Sequence, residues 1–238
     1  MILVDTAAVE IIRAALENRA ICGFTTNPKL IAEAAGEQVI SARAYRVFCE
    51  KLCMFAGADR RIRHLMIQTI GTEAQNRDLA VACRQQLGVR GAVSSTVDLW
   101  IKLPPTSEDL RCVDALRREG CKSLVTAVFT PSQALMAMES GADGVAVYFG
   151  RLLKHCADWQ RQLSTIVEIV RERKALLLLA SLSEPELVAQ SLAFSHDLTI
   201  PPALVAKLMY STLSLAAMEE FAKRVQPDWG ETGFTVVN

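Results

Sequence analysis

The sequence of 238 residues has neither a net charge nor a long apolar run. Its 26 basic side chains are balanced by 26 acidic ones, which argues against nonspecific attraction to a nucleic-acid backbone or an anionic membrane surface. No stretch approaches the roughly 20 consecutive apolar residues that a membrane-spanning helix needs. The N-terminus carries Asp5 where a secretion signal would place lysine or arginine. We therefore expect a cytoplasmic protein that binds neither nucleic acid nor membranes.

Paired cysteines and metal-ligand spacings are also missing. The seven cysteines are odd in number and form no Cys-x-x-Cys pair. This scatter is typical of reduced thiols that fill small apolar spaces, and it disfavours a disulfide framework or a zinc site. The three histidines show neither metal-site nor triad spacing. By contrast, 51% of the residues are apolar, which is enough for a sizeable core and excludes intrinsic disorder.

Short apolar runs recur along the chain with helical patterns between them. Eight such runs are candidate strands: 2–5, 21–26, 64–69, 98–103, 122–129, 143–149, 175–181 and 197–201. They are continuously apolar, as expected for parallel strands covered on both faces. Eight strand–helix units in about 210 residues predict an α/β protein with a (β/α)8 TIM barrel. A doubly wound sheet is the alternative, although the chain lacks the glycine-rich phosphate loops that usually mark that fold.

The domain organisation follows from the spacing of these units. We predict a single domain over 1–238, with the barrel in 1–212 and an additional helix and tail in 213–238. An apolar stripe of Leu215, Met218, Phe221 and Val225 would let that helix close the barrel or pack on a neighbouring subunit. The segment 36–63 is longer than a usual strand–helix connection, and we expect its basic tail to be a solvated turn after a helix.

Several helix ends carry recognisable signals. Asn27 and Pro28 predict the start of a helix, with the asparagine as N-cap. Thr106, followed by Asp109, predicts another helix that extends through Leu116. Glycines 88, 120 and 141 stand where left-handed helix C-caps would be placed.

Polar side chains stand at the ends of nearly all the predicted strands, which is where TIM barrels perform chemistry. They are Asp5, Thr25, Thr26, Asn27, Gln68, Lys102, Thr126, Tyr148, Arg151 and Ser181. Lys102 is the sharpest candidate because Ile101 and Leu103 flank it. Desolvation lowers the pKa of a buried lysine and makes its neutral, nucleophilic amine available. The alternative is a lysine that snorkels from a strand end or pairs with an acid.

The other candidates have simpler alternatives as well. Asp5 could cap a helix that starts near Thr6, and Gln68 could bond only to backbone. Tyr148 could be a core residue, and Arg151 could be a surface charge instead of an anion clamp.

In its motifs the chain resembles the transaldolase family of class I aldolases, most closely the small fructose-6-phosphate aldolase subgroup. The resemblance runs from Asp5 to about residue 229. It rests on the segments VDTA, GFTTNPKLIAEA, IQTIGT, WIKLPPT, LVTAVFTPSQAL, VYFGRL, LLASLSEP and the EEF…DW tail. The GxTTNP motif and the lysine strand, in this order and spacing, are specific to that family.

The resemblance implies a Schiff-base enzyme that needs no metal and no organic cofactor. Lys102 would attack a ketose carbonyl, and Asp5 would orient and protonate around the hydroxyls of dihydroxyacetone. Gln68, Thr126 and Tyr148 would hold a proton-shuttling water, while Thr25 and Asn27 would bind substrate. Arg151 and Ser181 would receive the phosphate of the aldehyde half. The family also implies a homo-oligomer, a pentamer or a decamer.

Two positions distinguish the subgroups within this resemblance. True transaldolases are similar to one another in having Glu at the position of Gln68 and Phe at that of Tyr148. The amide and phenol here favour an aldolase that releases dihydroxyacetone from fructose 6-phosphate, with a transaldolase as the alternative. A third possibility, from another class, is a catalytically silent barrel that serves as a scaffold.

The sequence also departs from the family pattern. Pro105 follows the lysine strand where the family commonly has valine, and Val147 replaces a proline. Glu184 stands near where the family usually carries a basic residue. The missing positive charge favours a smaller or uncharged acceptor.

Overall fold

The computed structural model describes residues 1–69, 71–88 and 97–224. Within them, eight strands form a closed barrel in chain order, and every neighbouring pair is parallel. The strands are β1 Ile2–Asp5, β2 Ile21–Thr25, β3 His64–Gln68, β4 Asp98–Leu103, β5 Lys122–Val128, β6 Gly144–Tyr148, β7 Leu176–Ala180 and β8 Leu198–Ile200. The predicted (β/α)8 fold is confirmed. The doubly wound alternative is wrong because β1 pairs with β8.

The described ranges contain twelve helices. They are α1 Val9–Ala15, α2 Pro28–Ala34, α3 Ala42–Ala58, α4 Glu73–Gly88, α5 Ser107–Leu110, α6 Cys112–Arg118, α7 Pro131–Glu139, α8 Phe149–His155, α9 Trp159–Glu172, α10 Pro185–Ser191, α11 Pro202–Lys207 and α12 Thr212–Ala222. Among these helices, each is too short or too polar to cross a bilayer.

The helix-end signals were correct at four places and wrong at two. Thr106 caps α5 by accepting a hydrogen bond from the Asp109 N–H at 3.1 Å. Asn27 caps α2 by accepting a hydrogen bond from the Leu30 N–H at 3.1 Å. Gly120 and Gly141 adopt the left-handed conformation that a C-cap requires. Gly88, in contrast, is the last residue of α4 and is not left-handed. The single helix predicted after Thr106 is divided at Arg111 into α5 and α6.

The long segment 36–63 accommodates α3, a second helix between β2 and β3. Ser41 caps this helix, which buries Tyr45, Cys49, Leu52 and Cys53. The side chains repeat at the spacing of an amphipathic helix, so one face packs inward against α4 and β3. The basic tail after α3 is an exposed turn, as predicted, and its Arg61 pairs with Asp59 and Glu17.

Seven strands each contribute one residue to a buried apolar cluster. This cluster consists of Leu3, Cys22, Met66, Trp100, Leu124, Ala146 and Leu178. Because side chains alternate along a strand, the residue two positions later faces the same side nearer the carboxyl end. That step leads from Leu3 to Asp5, from Met66 to Gln68 and from Trp100 to Lys102. On these three strands, a polar residue thus follows the apolar cluster toward the carboxyl end.

The chain divides into two compact units, Met1–Val205 and Ala206–Asn238. The first contains the barrel. In the second, α12 is the additional helix that was predicted, and its Leu213, Met218 and Phe221 are exposed. Val225 of the predicted apolar stripe and the rest of the tail lie outside the described residues.

Candidate active site

Lys102 lies near the carboxyl end of β4 and is only 5% exposed. Its Nζ donates a hydrogen bond to the Thr26 carbonyl oxygen at 3.1 Å. No ion pair in the described ranges involves this ammonium, so neither a snorkelling nor an acid-paired lysine fits. Burial lowers the pKa of Lys102 below its ordinary value, and the Asp5 carboxylate opposes part of that fall. The environment therefore increases the fraction of neutral, nucleophilic amine.

The Asp5 carboxylate is held by a short chain of hydroxyls. Strand register places Asp5 beside Thr25, whose Oγ1 donates to Asp5 Oδ1 at 2.6 Å. The same Thr25 Oγ1 lies 2.7 Å from Oγ1 of Thr199 on β8. Asp5 does not cap a helix, because α1 begins at Val9 and has Ala8 at its N-cap position. Both threonines are buried, so the carboxylate has a fixed, largely dry support.

Gln68 lies beside Lys102 on the neighbouring strand β3. The parallel register pairs these two residues directly. The Gln68 carbonyl oxygen accepts a hydrogen bond from the Tyr45 hydroxyl at 2.5 Å, which ties α3 to this strand end. Thr69 binds the Lys102 carbonyl oxygen through its N–H at 3.0 Å and through its hydroxyl at 3.1 Å. These contacts fix the Lys102 carbonyl and the adjacent end of β3.

Two buried hydroxyls near this end of the barrel have no hydrogen-bond partner among the described residues. They belong to Thr26, whose carbonyl receives the lysine, and to Thr126 on β5. A buried hydroxyl without a partner costs about 1–3 kcal/mol, so such groups are suited to contact a polar ligand. Directly after Thr126, Ala127 adopts a left-handed φ of 57° and the register shifts between Val125 and Val128. This strained irregularity lies within β5, directly after the site residue Thr126.

A second group of predicted site residues lies at the ends of β6 and β7. It consists of Tyr148, Arg151 and Ser181. Tyr148 ends β6, and the Arg151 guanidinium carbon lies 5.1 Å from the centroid of its ring. Ser181 follows β7 with a left-handed φ of 63°. Its carbonyl oxygen approaches Gly150 so closely that a Cβ there would lie 2.1 Å away. Only glycine permits this approach, which brings the turn carrying Arg151 against the end of β7.

Asn27 and Glu184 stand apart from these contacts. The side-chain oxygen of Asn27 is occupied by the cap of α2. Glu184 is exposed at the N-cap position of α10 and makes no capping hydrogen bond. In the part of the chain that the structure describes, no group of three or more His, Cys, Asp or Glu side chains is placed to hold a metal ion.

Sequence reasoning missed Tyr45, Thr69 and Thr199. Tyr45 has the spacing of a helix-core residue, and its hydroxyl contact depends on how α3 docks against β3. Thr199 sits in a strand of three residues with no motif of its own. For Thr69, the end of an apolar run next to a predicted site residue was the one available signal.

Comparisons with known proteins cover nearly the whole chain. The family model "Transaldolase/Fructose-6-phosphate aldolase" matches residues 2–232. A probable transaldolase of Caldicellulosiruptor saccharolyticus is 28% identical over 232 residues, covering 96% of each chain. Another, from Clostridium botulinum, is 28% identical over 97% of this chain and 98% of the relative. A third, from Pelotomaculum thermopropionicum, is 29% identical over 96% of each chain.

Proposed function

This chain belongs to the transaldolase/fructose-6-phosphate aldolase family, and we propose that it is a class I aldolase. It would reversibly cleave a ketose or ketose phosphate, such as fructose 6-phosphate, into dihydroxyacetone and an aldehyde such as glyceraldehyde 3-phosphate. The observation that carries the proposal is Lys102, which is buried at the carboxyl end of the barrel and forms no ion pair with any described residue.

In the proposed first step, Lys102 Nζ attacks the ketose carbonyl. The carbon–nitrogen bond forms, the carbonyl oxygen leaves as water, and an iminium results. The iminium accepts the electron pair of the adjacent carbon–carbon bond, while the hydroxyl proton of the departing half passes to a base. Cleavage leaves the aldehyde and an enamine on Lys102. Protonation of the enamine carbon and hydrolysis then release dihydroxyacetone and regenerate the amine.

The neighbouring polar groups would supply the proton transfers. Asp5 lies close enough to Lys102 to act on its pKa and is held by Thr25, which supports its role at the dihydroxyacetone hydroxyls. Gln68, Thr126 and Tyr148 would hold the water that shuttles protons. The partnerless hydroxyl of Thr126 supports this role because it is free to bind that water. Thr25 and the side-chain amide of Asn27 would complete the contacts to substrate.

Arg151 and Ser181 would bind the anionic end of a phosphorylated aldehyde. The guanidinium is exposed and rests on the Tyr148 ring, where it retains free donors for a phosphate. Glu184 lies three residues past Ser181 and supplies a negative charge. This combination supports weak selection for phosphate and leaves room for uncharged aldehydes.

A transaldolase is the second candidate, because the three similar proteins carry the name probable transaldolase. Such an enzyme would pass the dihydroxyacetone unit to an aldose phosphate. Gln68 and Tyr148 favour the aldolase, since a phenol can protonate the enamine through water.

Incubation with fructose 6-phosphate alone discriminates these functions. The aldolase reading expects free dihydroxyacetone to accumulate without an acceptor. A transaldolase would release no free dihydroxyacetone, and only after an aldose phosphate is added would it release glyceraldehyde 3-phosphate and form a new ketose phosphate. A protein that shows neither reaction and traps no imine would be a silent scaffold.

The protein would act as a homo-oligomer, either a pentamer or a decamer. The exposed Leu213, Met218 and Phe221 of α12 support an association surface on that helix. Light scattering coupled to size-exclusion chromatography would test this, and a monomer of 26.1 kDa would contradict it.

A further inference from the structure

We infer that Thr199 is a positioning residue for the proposed reaction, acting through Thr25 on the Asp5 carboxylate. The inference rests on the proposed function, because it is there that Asp5 handles the substrate hydroxyls. β8 otherwise contributes nothing to the candidate site, and no sequence motif points to Thr199.

The number of available protons determines the direction of donation along these hydrogen bonds. The Thr25 hydroxyl carries one proton, and a carboxylate can only accept. The contact of 2.6 Å to Asp5 Oδ1 therefore uses that proton. Across the 2.7 Å between the two hydroxyl oxygens, Thr199 must then be the donor. The order of donation is Thr199 to Thr25 to Asp5.

Register shows why Thr199 acts through another residue. Thr199 pairs with Leu3, in the layer below Asp5, whereas Thr25 pairs with Asp5 itself. A hydroxyl at the level of Leu3 reaches Thr25 and supports it from below. The two hydrogen bonds also join β8, β1 and β2. They therefore connect β8, the strand that closes the barrel, to the candidate site.

The burial of both threonines makes this support important. Thr25 is fully buried and Thr199 is 4% exposed, so water does not readily replace a lost contact. In such surroundings each hydrogen bond polarises the next by about 10–30%. Loss of the Thr199 hydroxyl would weaken the bond from Thr25 and loosen the carboxylate. Asp5 lies close enough to Lys102 to raise the pKa of the amine, so a looser carboxylate affects the reacting end directly.

The test is a double-mutant cycle on turnover of fructose 6-phosphate. Thr199→Val keeps the shape and removes the hydroxyl, and we expect kcat to fall about 3- to 10-fold with KM nearly unchanged. Thr199→Ser restores the donor and should stay within about 2-fold of the parent. In a Thr25→Val background, Thr199→Val should have no further effect, because the link is already cut. If Thr199→Val does not fold, Thr199→Ala completes the same cycle.

Ser123→Ala is the matched control. Ser123 is a buried hydroxyl on β5 that binds Asp143 at 3.0 Å, and it lies near the start of its strand, away from the site. Its loss should leave kcat unchanged.

Two outcomes separate this inference from the proposed function. If the parent protein forms an imine but Thr199→Val and Thr25→Val lower kcat additively, the positioning role is wrong and the aldolase stands. If the parent forms no imine, the proposed function is wrong and the positioning role falls with it.

Discussion

Two lysines on adjacent strands occupy opposite ends of the same barrel. Lys102 lies near the carboxyl end of β4, is 5% exposed and donates to a backbone carbonyl. Lys122 starts β5, has a side chain that is 45% exposed, and pairs with Asp98 at 2.8 Å. It also lies 5.1 Å from the centroid of the Trp100 ring. Lys122 is thus paired with an acid, whereas Lys102 forms no ion pair in the part of the chain that the structure describes.

The two ends of the barrel therefore serve different purposes: the amino end favours stability and the carboxyl end favours chemistry. At the amino end, the charges are paired: the N-terminal ammonium with Asp197, and Lys122 with Asp98. At the carboxyl end, burial depresses the pKa of Lys102, and the Asp5 carboxylate opposes only part of that fall. Barrels of this kind place their reactions at the carboxyl end, where such an unfavourable arrangement has a use.

The largest expected effect comes from exchanging each lysine for methionine. Lys102→Met should lower aldol cleavage by more than about 10³-fold, because no other group can form the imine. Lys122→Met should retain most of the activity. Steady-state release of dihydroxyacetone measures the activity of both variants. Equal losses would contradict the claim that only the lysine at the carboxyl end takes part in the reaction.

The next effect concerns proton transfer at the carboxyl end. Tyr148→Phe should depress dihydroxyacetone release by about 10²-fold, since general acid–base help is typically worth 10²–10⁴-fold. Imine formation should change much less, because the phenol acts after carbon–carbon cleavage. Adding Gln68→Glu should shift the variant toward transfer to an added aldose phosphate. Rapid-quench assays separate the steps, and an unchanged rate of dihydroxyacetone release in both variants would exclude these roles.

Arg151 should control selection for phosphate at the rim. A charge-assisted contact is worth about 1.5–3 kcal/mol, so Arg151→Ala should weaken the binding of glyceraldehyde 3-phosphate by about 10- to 100-fold. Glyceraldehyde should be nearly unaffected. Glu184→Lys, which reverses the charge three residues past Ser181, should strengthen binding of the phosphorylated substrate. If neither change alters the preference in KM measurements, Arg151 is a surface charge.

The smallest effect is on stability, and here the two lysines should differ in sign. Because burial lowers the pKa of Lys102 in the folded protein, the folded state binds fewer protons than the unfolded chain between the two pKa values. The free energy of unfolding should therefore rise with pH through that interval, up to about pH 10.4. Lys102→Met should lack this rise and be about 1–3 kcal/mol more stable at neutral pH.

Lys122→Met should instead lose up to about 1 kcal/mol, the usual contribution of an exposed ion pair. Denaturant unfolding at neutral and alkaline pH measures both variants. A Lys102→Met protein less stable than its parent at pH 7 would contradict the account of burial.

Most of the barrel was readable from the sequence because buried parallel strands are continuous apolar runs. The predicted runs 2–5 and 98–103 coincide with β1 and β4, and the others exceed their strands by one or two residues. The division of a helix at Arg111 and the helical state of Gly88 were missed, since local signals do not report how neighbouring elements pack.

The candidate site divides in the same way. Lys102 and Gln68 could be found as polar residues in apolar strands. Thr199 could not, because a threonine between Leu198 and Ile200 is common in any strand. Its importance depends on the register between β8, β1 and β2, which the sequence does not display.

Borohydride trapping tests the central claim, that the uncompensated lysine forms the imine, most directly. The parent protein is treated with dihydroxyacetone and borohydride, and the adduct is located by intact-mass and peptide analysis, with Lys122→Met as the matched control. The account predicts one adduct on the LWIKLPP peptide at Lys102, present in the parent and in Lys122→Met but absent from Lys102→Met. An adduct on another lysine, or a Lys102→Met protein that still cleaves fructose 6-phosphate, would contradict it.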